Sequence, residues 1–174
     1  MRHLYLIALL VVVGCSTNEQ EPPPIKGKEL KDGLVKANKV LHENEEEDIE
    51  HYIKRAGWDM TTTPTGLRYQ IYESGSGPVG QEGQMAKIRY EVKLLTGKVC
   101  YSSVESGDEH IEIGKSEVSG LNEAMLKLRK GDRAKIILPS HLAYGLVGDE
   151  NCIPRKATVI YDVQIIEIIN TSNQ

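Results

Sequence analysis

The chain has no phenylalanine and a single tryptophan among 174 residues, against eight tyrosines. Any apolar pocket it carries must therefore be built from Tyr, Leu, Ile and Val. Cysteine is nearly as scarce. Cys15, Cys100 and Cys152 are the only three, none forms a CxxC pair, and two cysteines cannot by themselves complete a four-ligand zinc site. Positive charge is not in excess: the net charge is −4 and the pI about 5.8, which speaks against a nucleic-acid partner. Histidine pairs at metal-binding spacing are missing too. "HENEE" at His42 opens like the HExxH zinc motif, but Glu46 holds the place of the second histidine, and none of the five histidines forms an i,i+4 pair. The acidic run 43–48 reads as a solvated helix face, with calcium affinity a remote alternative. "GSGPVG" (75–80) formally matches GxGxxG, yet Pro78 and a strand follow where a nucleotide site needs a helix N-terminus. It reads as a turn. No metal and no cofactor is expected.

What remains is 40% hydrophobic and 26% charged, the composition of a globular protein with room for one domain and extensions. "MRHLYLIALLVVVGC" places Arg2 before an apolar run that ends at Gly14 and Cys15. That order is a basic region, a hydrophobic core and a small residue at a cleavage point. The run is short for a bilayer span, and a cysteine directly after "VVVG" looks like a bacterial lipobox. Residues 1–14 are thus expected to be a signal peptide and Cys15 a lipidated residue. An uncleaved anchor or a plain secretory signal with an incidental cysteine is the alternative. Lipidation makes the mature protein an exported, membrane-tethered one, in a compartment where disulfides persist. Residues 15–27, with three consecutive prolines, read as a tether.

Residues 28–57 are patterned as helix. Leu30, Leu34, Ala37 and Leu41 form one stripe, Ile49, Tyr52, Ile53 and Ala56 another, and the acidic run between them could open a second helix. This extension is expected to pack on the main domain, form a homodimer, or contact a partner. From residue 66 to 170 the periodicity becomes that of strands. They are 66–72, 85–95 (Ile88, Tyr90, Val92 and Leu94 on one face), "VCYS" after a "TGK" turn, "HIEIG", 132–139 and 157–169. One helix interrupts them, with Leu121, Ala124, Met125 and Leu128 at helical spacing and Gly131 as its stop. An α+β class follows. The stretch "LPSHLAYGLVGDENCIP" (138–154) is then left as a long loop carrying a tyrosine, a cysteine and an isoleucine, and such loops are uncommon unless they have a function.

Three segments carry a resemblance: "IRYEVKLLTGKVCYSS", "IGKSEVSGLNEAMLKLRKGDRAKIILPSHLAYG" and "IPRKATVIYDVQIIEI". In order and spacing they resemble the FKBP-type peptidyl-prolyl isomerase family, over about residues 83–169. With leader and helical segment, the whole resembles the FKBP-type lipoproteins of the Bacteroidota, some of which are linked to gliding motility. The resemblance implies an FKBP-like antiparallel sheet, usually five-stranded, wrapped around one short helix, with an apolar pocket between the two. The long loop 139–154 lines one side of that pocket.

Position by position, Tyr144 matches the family's loop tyrosine, whose hydroxyl donates to the substrate carbonyl. Val118, after Glu117, matches a wall residue. Tyr90 and Tyr161 match pocket aromatics, with ordinary core packing as the alternative, and Ile153 matches an apolar loop residue. Cys100 and Tyr101 stand in place of a frequent Phe-Asp pair. Leu121 stands in place of a floor tryptophan, Asp149 in place of a frequent histidine and Cys152 in place of an apolar residue. All these positions are expected to touch substrate or shape its site. Weak isomerase activity and poor macrolide binding follow from the departures. Since Cys100 and Cys152 both map near the pocket rim, a disulfide between them is one expectation and two free buried thiols the other. The implied function is a tethered, exported isomerase that acts on proline-containing clients in the cell envelope. The alternative is a non-catalytic chaperone, or a binding or structural lipoprotein of a secretion or motility assembly.

Overall fold

The alternation read in residues 85–95 becomes, in the computed structural model, a strand that pairs on both sides. The structure describes residues 27–170, so Cys15, the leader and most of the tether lie outside the described residues. The described residues divide into two units, 27–37 and 38–170. In the first, residues 27–37 are the opening turns of helix α1 (Gly27–Ala56), on which Leu30, Leu34 and Val35 are exposed. α1 is one continuous helix. The acidic run opens no second helix, because nothing in it breaks the backbone ladder.

The second unit is an antiparallel sheet of strands β1 (Thr61–Thr62), β2 (Arg68–Glu73), β3 (Gln84–Leu94), β4 (Val99–Ser102), β5 (Glu109–Glu112), β6 (Arg133–Leu138) and β7 (Val159–Asn170). The order is β1-β2-β6-β7-β3-β4, and β5 also pairs with β3. β4 takes the Glu91–Lys93 end of β3 and β5 the Met85–Ile88 end. These are the expected strands, plus the two-residue β1. A one-turn helix, α2 (Ser103–Ser106), links β4 to β5 and is capped by the Ser102 hydroxyl accepting from the Val104 N–H.

Helix α3 (Ser119–Met125) is shorter than its periodicity suggested. Leu128 remains buried beyond its end, so the apolar spacing continues while the helix does not. α3 buries Gly120, Leu121, Ala124 and Met125. The close approach requires the glycine: a Cβ on Gly120 would stand 2.6 Å from Leu138 Cδ2. Ala86, Ile88, Val92, Ile136, Leu138, Val159, Tyr161 and Val163 meet α3 in the main core.

Because side chains alternate along a strand, Ile137 and its cross-strand partner Ile160 face the other side of the sheet. There they bury Ile49 of α1, with Tyr52, Ile53, Trp58, Met60 and Leu95 around them. Three side chains with no exposure contribute about 1.5–3 kcal/mol each. Of the two stripes foreseen on this helix, the first is exposed, and the second buries Ile49 fully, Tyr52 and Ile53 in part, and leaves Ala56 exposed. Polar contacts hold the same docking: Arg68, almost wholly buried, donates to the carboxylates of Glu46 and Glu50 and to the Gly66 carbonyl.

The "GSGPVG" turn is a packing device. A Cβ on Gly75 would lie 2.1 Å from the Lys130 carbonyl oxygen. The buried Asp132 carboxylate accepts the N–H groups of Gly75 and Arg129, at 2.6 and 2.8 Å. The glycine allows the close approach of a neighbouring backbone.

Candidate active site

Pro139 ends β6, and the chain enters a 3₁₀ turn, Ser140–Leu142. The Ser140 carbonyl accepts the N–H of Ala143 (3.1 Å) and of Gly145 (2.8 Å), which fixes the backbone on both sides of Tyr144. The Gly145 carbonyl accepts Lys156 N–H at 2.8 Å, and the Tyr144 carbonyl accepts Gly148 N–H at 3.1 Å. Farther along, Asp149 folds the loop onto itself. Its Oδ1 accepts the N–H of Asn151 (3.0 Å) and Ile153 (2.7 Å), as short polar side chains do in turns. The loop is thus ordered by its own polar groups, while Ile153 enters the core.

Two links tie this loop to β4. Cys100 and Cys152 are joined by a disulfide, with Cα atoms 5.5 Å apart. Beside it, the Tyr101 hydroxyl donates to the Asp149 carboxylate and accepts from the Asn151 side-chain amide at 3.3 Å. The hydrogen bond to Asp149, together with burial, pushes the Tyr101 hydroxyl up from its ordinary value. Burial alone would raise Asp149, but the Tyr101 hydroxyl and the N–H groups of Asn151, Ile153 and Cys152 outweigh it and hold the carboxyl below the usual range.

Tyr144 is half-buried against the main core. Its hydroxyl interacts with that of Tyr161, which is almost fully buried. The Tyr90 ring lies 6.5 Å from the Tyr161 ring, tilted by 42°. Burial raises the Tyr144 hydroxyl and, more strongly, that of Tyr161. Both stay protonated across the physiological range. Tyr144, Val118 and Glu117 line an open cavity of about 690 Å³, whose other walls are β5, Lys115, Ser116, His141 and Ala143.

The remaining expected site residues lie in or against the apolar cluster behind Tyr144. Leu121, Ile153 and Tyr161 are at most 4% exposed, and Tyr90, Cys100 and Tyr101 are half-buried. None of the six lines the open cavity. On that side the disulfide and the Tyr101–Asp149 bond tie the loop to β4. Sequence reasoning missed the β5 wall, with Glu109 and His110, and it missed His141. Ordinary polar residues on a short strand carry no signal of their own. The Tyr101–Asp149 pair was legible in part, since both positions depart from the family pattern.

The comparisons with known proteins agree with this geometry. Residues 77–166 match the family described as FKBP-type peptidyl-prolyl cis-trans isomerase. A Haemophilus influenzae protein described as "Probable FKBP-type peptidyl-prolyl cis-trans isomerase" is 31% identical over 146 residues, covering 83% of this chain and 60% of that protein. FkpA of Escherichia coli, described as an FKBP-type peptidyl-prolyl cis-trans isomerase, is 29% identical over 119 residues, covering 68% and 43%. The chain therefore spans about half the length of these curated relatives. Among solved structures, FkpA from Escherichia coli matches at a TM-score of 0.66 with 26% identity, over 82% of this chain and 67% of that one. AtFKBP13 matches at 0.61 with 28% identity, over 63% and 98%.

Proposed function

The chain belongs to the FKBP-type peptidyl-prolyl cis-trans isomerase family, and from that premise we propose that it catalyses rotation about X–Pro bonds in polypeptide clients at the Tyr144 cavity. Amide resonance opposes this rotation with a barrier of about 18–20 kcal/mol, and the uncatalysed exchange takes roughly 10–100 s. In the twisted transition state resonance is lost and the carbonyl is less polar. A pre-shaped site with an apolar wall and one fixed donor favours that state over the planar, hydrated ground state. Neither a nucleophile nor a group transfer is needed.

The observation that carries this reading is Tyr144 itself. A backbone held by Ser140 sets Tyr144 in the cavity wall, and the buried Tyr161 side chain lies beside its hydroxyl. The Tyr144 hydroxyl is the donor this reading assigns to a substrate carbonyl. Val118 and Ala143 supply apolar wall for a prolyl ring. The test is cis–trans exchange of a proline peptide. Acceleration above the uncatalysed rate supports the reading, and a folded protein that leaves the rate unchanged refutes it.

A second reading, a proline-segment binder without turnover, is favoured by one feature. The disulfide and the Tyr101–Asp149 bond close the rim where the family pattern is most altered. Aggregation suppression without isomerisation would select it.

The lipobox-like "VVVGC" and the proline-rich tether support an exported protein anchored at Cys15 in a bacterial envelope, of the Bacteroidota lipoprotein type. In that setting its clients are envelope or secreted proteins. Among the described residues no helix is long and apolar enough to cross a membrane. A Cys15→Ser chain should leave the membrane fraction, and unchanged membrane attachment would contradict lipid anchoring.

A further inference from the structure

We propose that His42, Glu45 and His141 form a binding site for one divalent transition-metal ion, of the kind that imidazole and carboxylate ligands select. A ring nitrogen of each histidine and a carboxylate oxygen of Glu45 lie within 4.8 Å of one another. His42 and Glu45 stand three residues apart on α1, so they share a face and project side by side. His141 comes to them from the 3₁₀ turn after β6. No local sequence spacing announces this set, because the fold assembles it from two distant segments. The two imidazole rings meet edge to face with centroids 5.8 Å apart, and both side chains are exposed.

The second contacts of two of these ligands, His141 and Glu45, are those a metal site needs. His141 Nε2 lies 3.0 Å from the Thr65 carbonyl oxygen, which can only accept. Nε2 therefore carries the proton and Nδ1 the lone pair, the arrangement in which a backbone carbonyl fixes tautomer and ring orientation for a metal-binding histidine. Glu45 is held as firmly. Its Oε1 accepts from the Ser140 N–H (2.6 Å) and the Thr158 hydroxyl (2.7 Å), and Oε2 from the Ser140 hydroxyl (3.0 Å). A carboxylate offers about four lone-pair sites, so one remains, on Oε2, for an ion.

Ligand atoms around a tetrahedral zinc ion stand about 3.3 Å apart when each is about 2.0–2.1 Å from the metal. Closing the present set takes a movement of at most about 1.5 Å, within reach of two exposed rings. Two imidazoles and a carboxylate suit zinc, copper and nickel, and exclude magnesium and calcium as preferred ions. Three protein ligands leave a fourth position for water. The site lines a groove of about 670 Å³ between α1 and the loops at 94–96 and 154–158. His141 also lines the Tyr144 cavity. An ion here would tie α1 to the turn that carries Tyr144.

The test is titration of the untagged full chain with Zn²⁺, followed by calorimetry and by thermal melting. The expected result is one saturable equivalent and a higher melting temperature with the ion bound. His42→Ala and His141→Ala should each weaken Zn²⁺ affinity by about ten-fold or more. Their metal-free melting temperatures should stay near that of the parent, since both side chains are exposed. His51→Ala and His110→Ala should bind as the parent does. A parent chain that binds no stoichiometric Zn²⁺, or a His42→Ala/His141→Ala double variant that binds it equally well, would overturn the proposal. This inference does not rest on the isomerase reading, because its readout is metal affinity.

Discussion

The carboxylate of Glu45 receives both the amide N–H and the hydroxyl of Ser140, at 2.6 and 3.0 Å. The Ser140 carbonyl in turn receives the N–H of Ala143 and of Gly145, the two neighbours of Tyr144. A side chain on the N-terminal helix thus sets the backbone beneath the proposed catalytic hydroxyl. Glu45 is a positioning residue. Glu45→Ala should cost about 2–3 kcal/mol in stability, the scale of a charged hydrogen bond lost from a part-buried site, and should lower kcat more than it raises KM. Glu45→Gln keeps one acceptor and should recover part of both. Urea unfolding and steady-state kinetics on the three proteins check this.

Arg68 is the polar anchor of the same helix. With its side chain 4% exposed, and those of Glu46 and Glu50 32% and 62% exposed, the three groups differ in how much water can replace. Removing both glutamates strands a buried guanidinium on the Gly66 carbonyl. That loss should approach the lower end of the about 3–5 kcal/mol known for broken buried pairs, because the glutamates are partly solvated. Glu46→Ala should cost more than Glu50→Ala. Denaturation midpoints of the single and double variants would show the order.

The Cys100–Cys152 bridge closes a long segment, with a sequence separation of 52 residues. Its loss should destabilise the protein by about 2–4 kcal/mol through the entropy returned to the unfolded chain. Thiol counting on the unfolded, unreduced full chain should find neither of these two cysteines, and both after reduction. In the Cys100→Ser/Cys152→Ser chain the Asp149 turn remains but loses one of its two ties to β4. KM for proline peptides should then change more than kcat.

Two pH dependences follow from the shifted groups. Asp149 has its folded pKa below the unfolded value of about 3.9. Its contribution to stability is complete above that value and is lost as pH falls through the folded pKa. Asp149→Asn should lose that acid-sensitive component. Tyr144 is raised, with burial the main cause, so its hydroxyl remains a donor past the ordinary tyrosine value of about 10. Isomerase activity should therefore be level from about pH 7 to 9 with respect to this group. For Tyr72, raised to about 12 by burial and by its bond to Asp162, the stabilising share is present below about 10 and lost as pH rises through 12. Melting temperature against pH, compared with Asp149→Asn and Tyr72→Phe, measures both limbs.

Much of this was legible beforehand because it rests on period. Ile88, Val92 and Leu94 alternate with charged residues and become the inward face of β3, and Leu121, Ala124 and Met125 recur at helical spacing and become the buried face of α3. Tyr144 was legible from its place beside Gly145 on a loop that polarity alone did not explain. The contacts that hold it were not. Glu45 and Glu46 lie in an acidic run that reads as solvated, and only the folded chain shows that one meets Ser140 and the other Arg68. The continuity of α1 was missed for the same reason, since acidic residues suit both a helix start and a helix middle. Tyr101 and Asp149 are distant in sequence, and no local pattern records their bond.

The most direct test of the account is kcat/KM for a proline peptide with the full chain, its Tyr144→Phe variant and its Tyr161→Phe variant. Loss of one hydrogen bond that strengthens in the transition state amounts to roughly ten-fold. The account expects at least that from Tyr144→Phe and a smaller loss from Tyr161→Phe, which removes only the hydroxyl beside the donor. A folded Tyr144→Phe protein as active as its parent would contradict it.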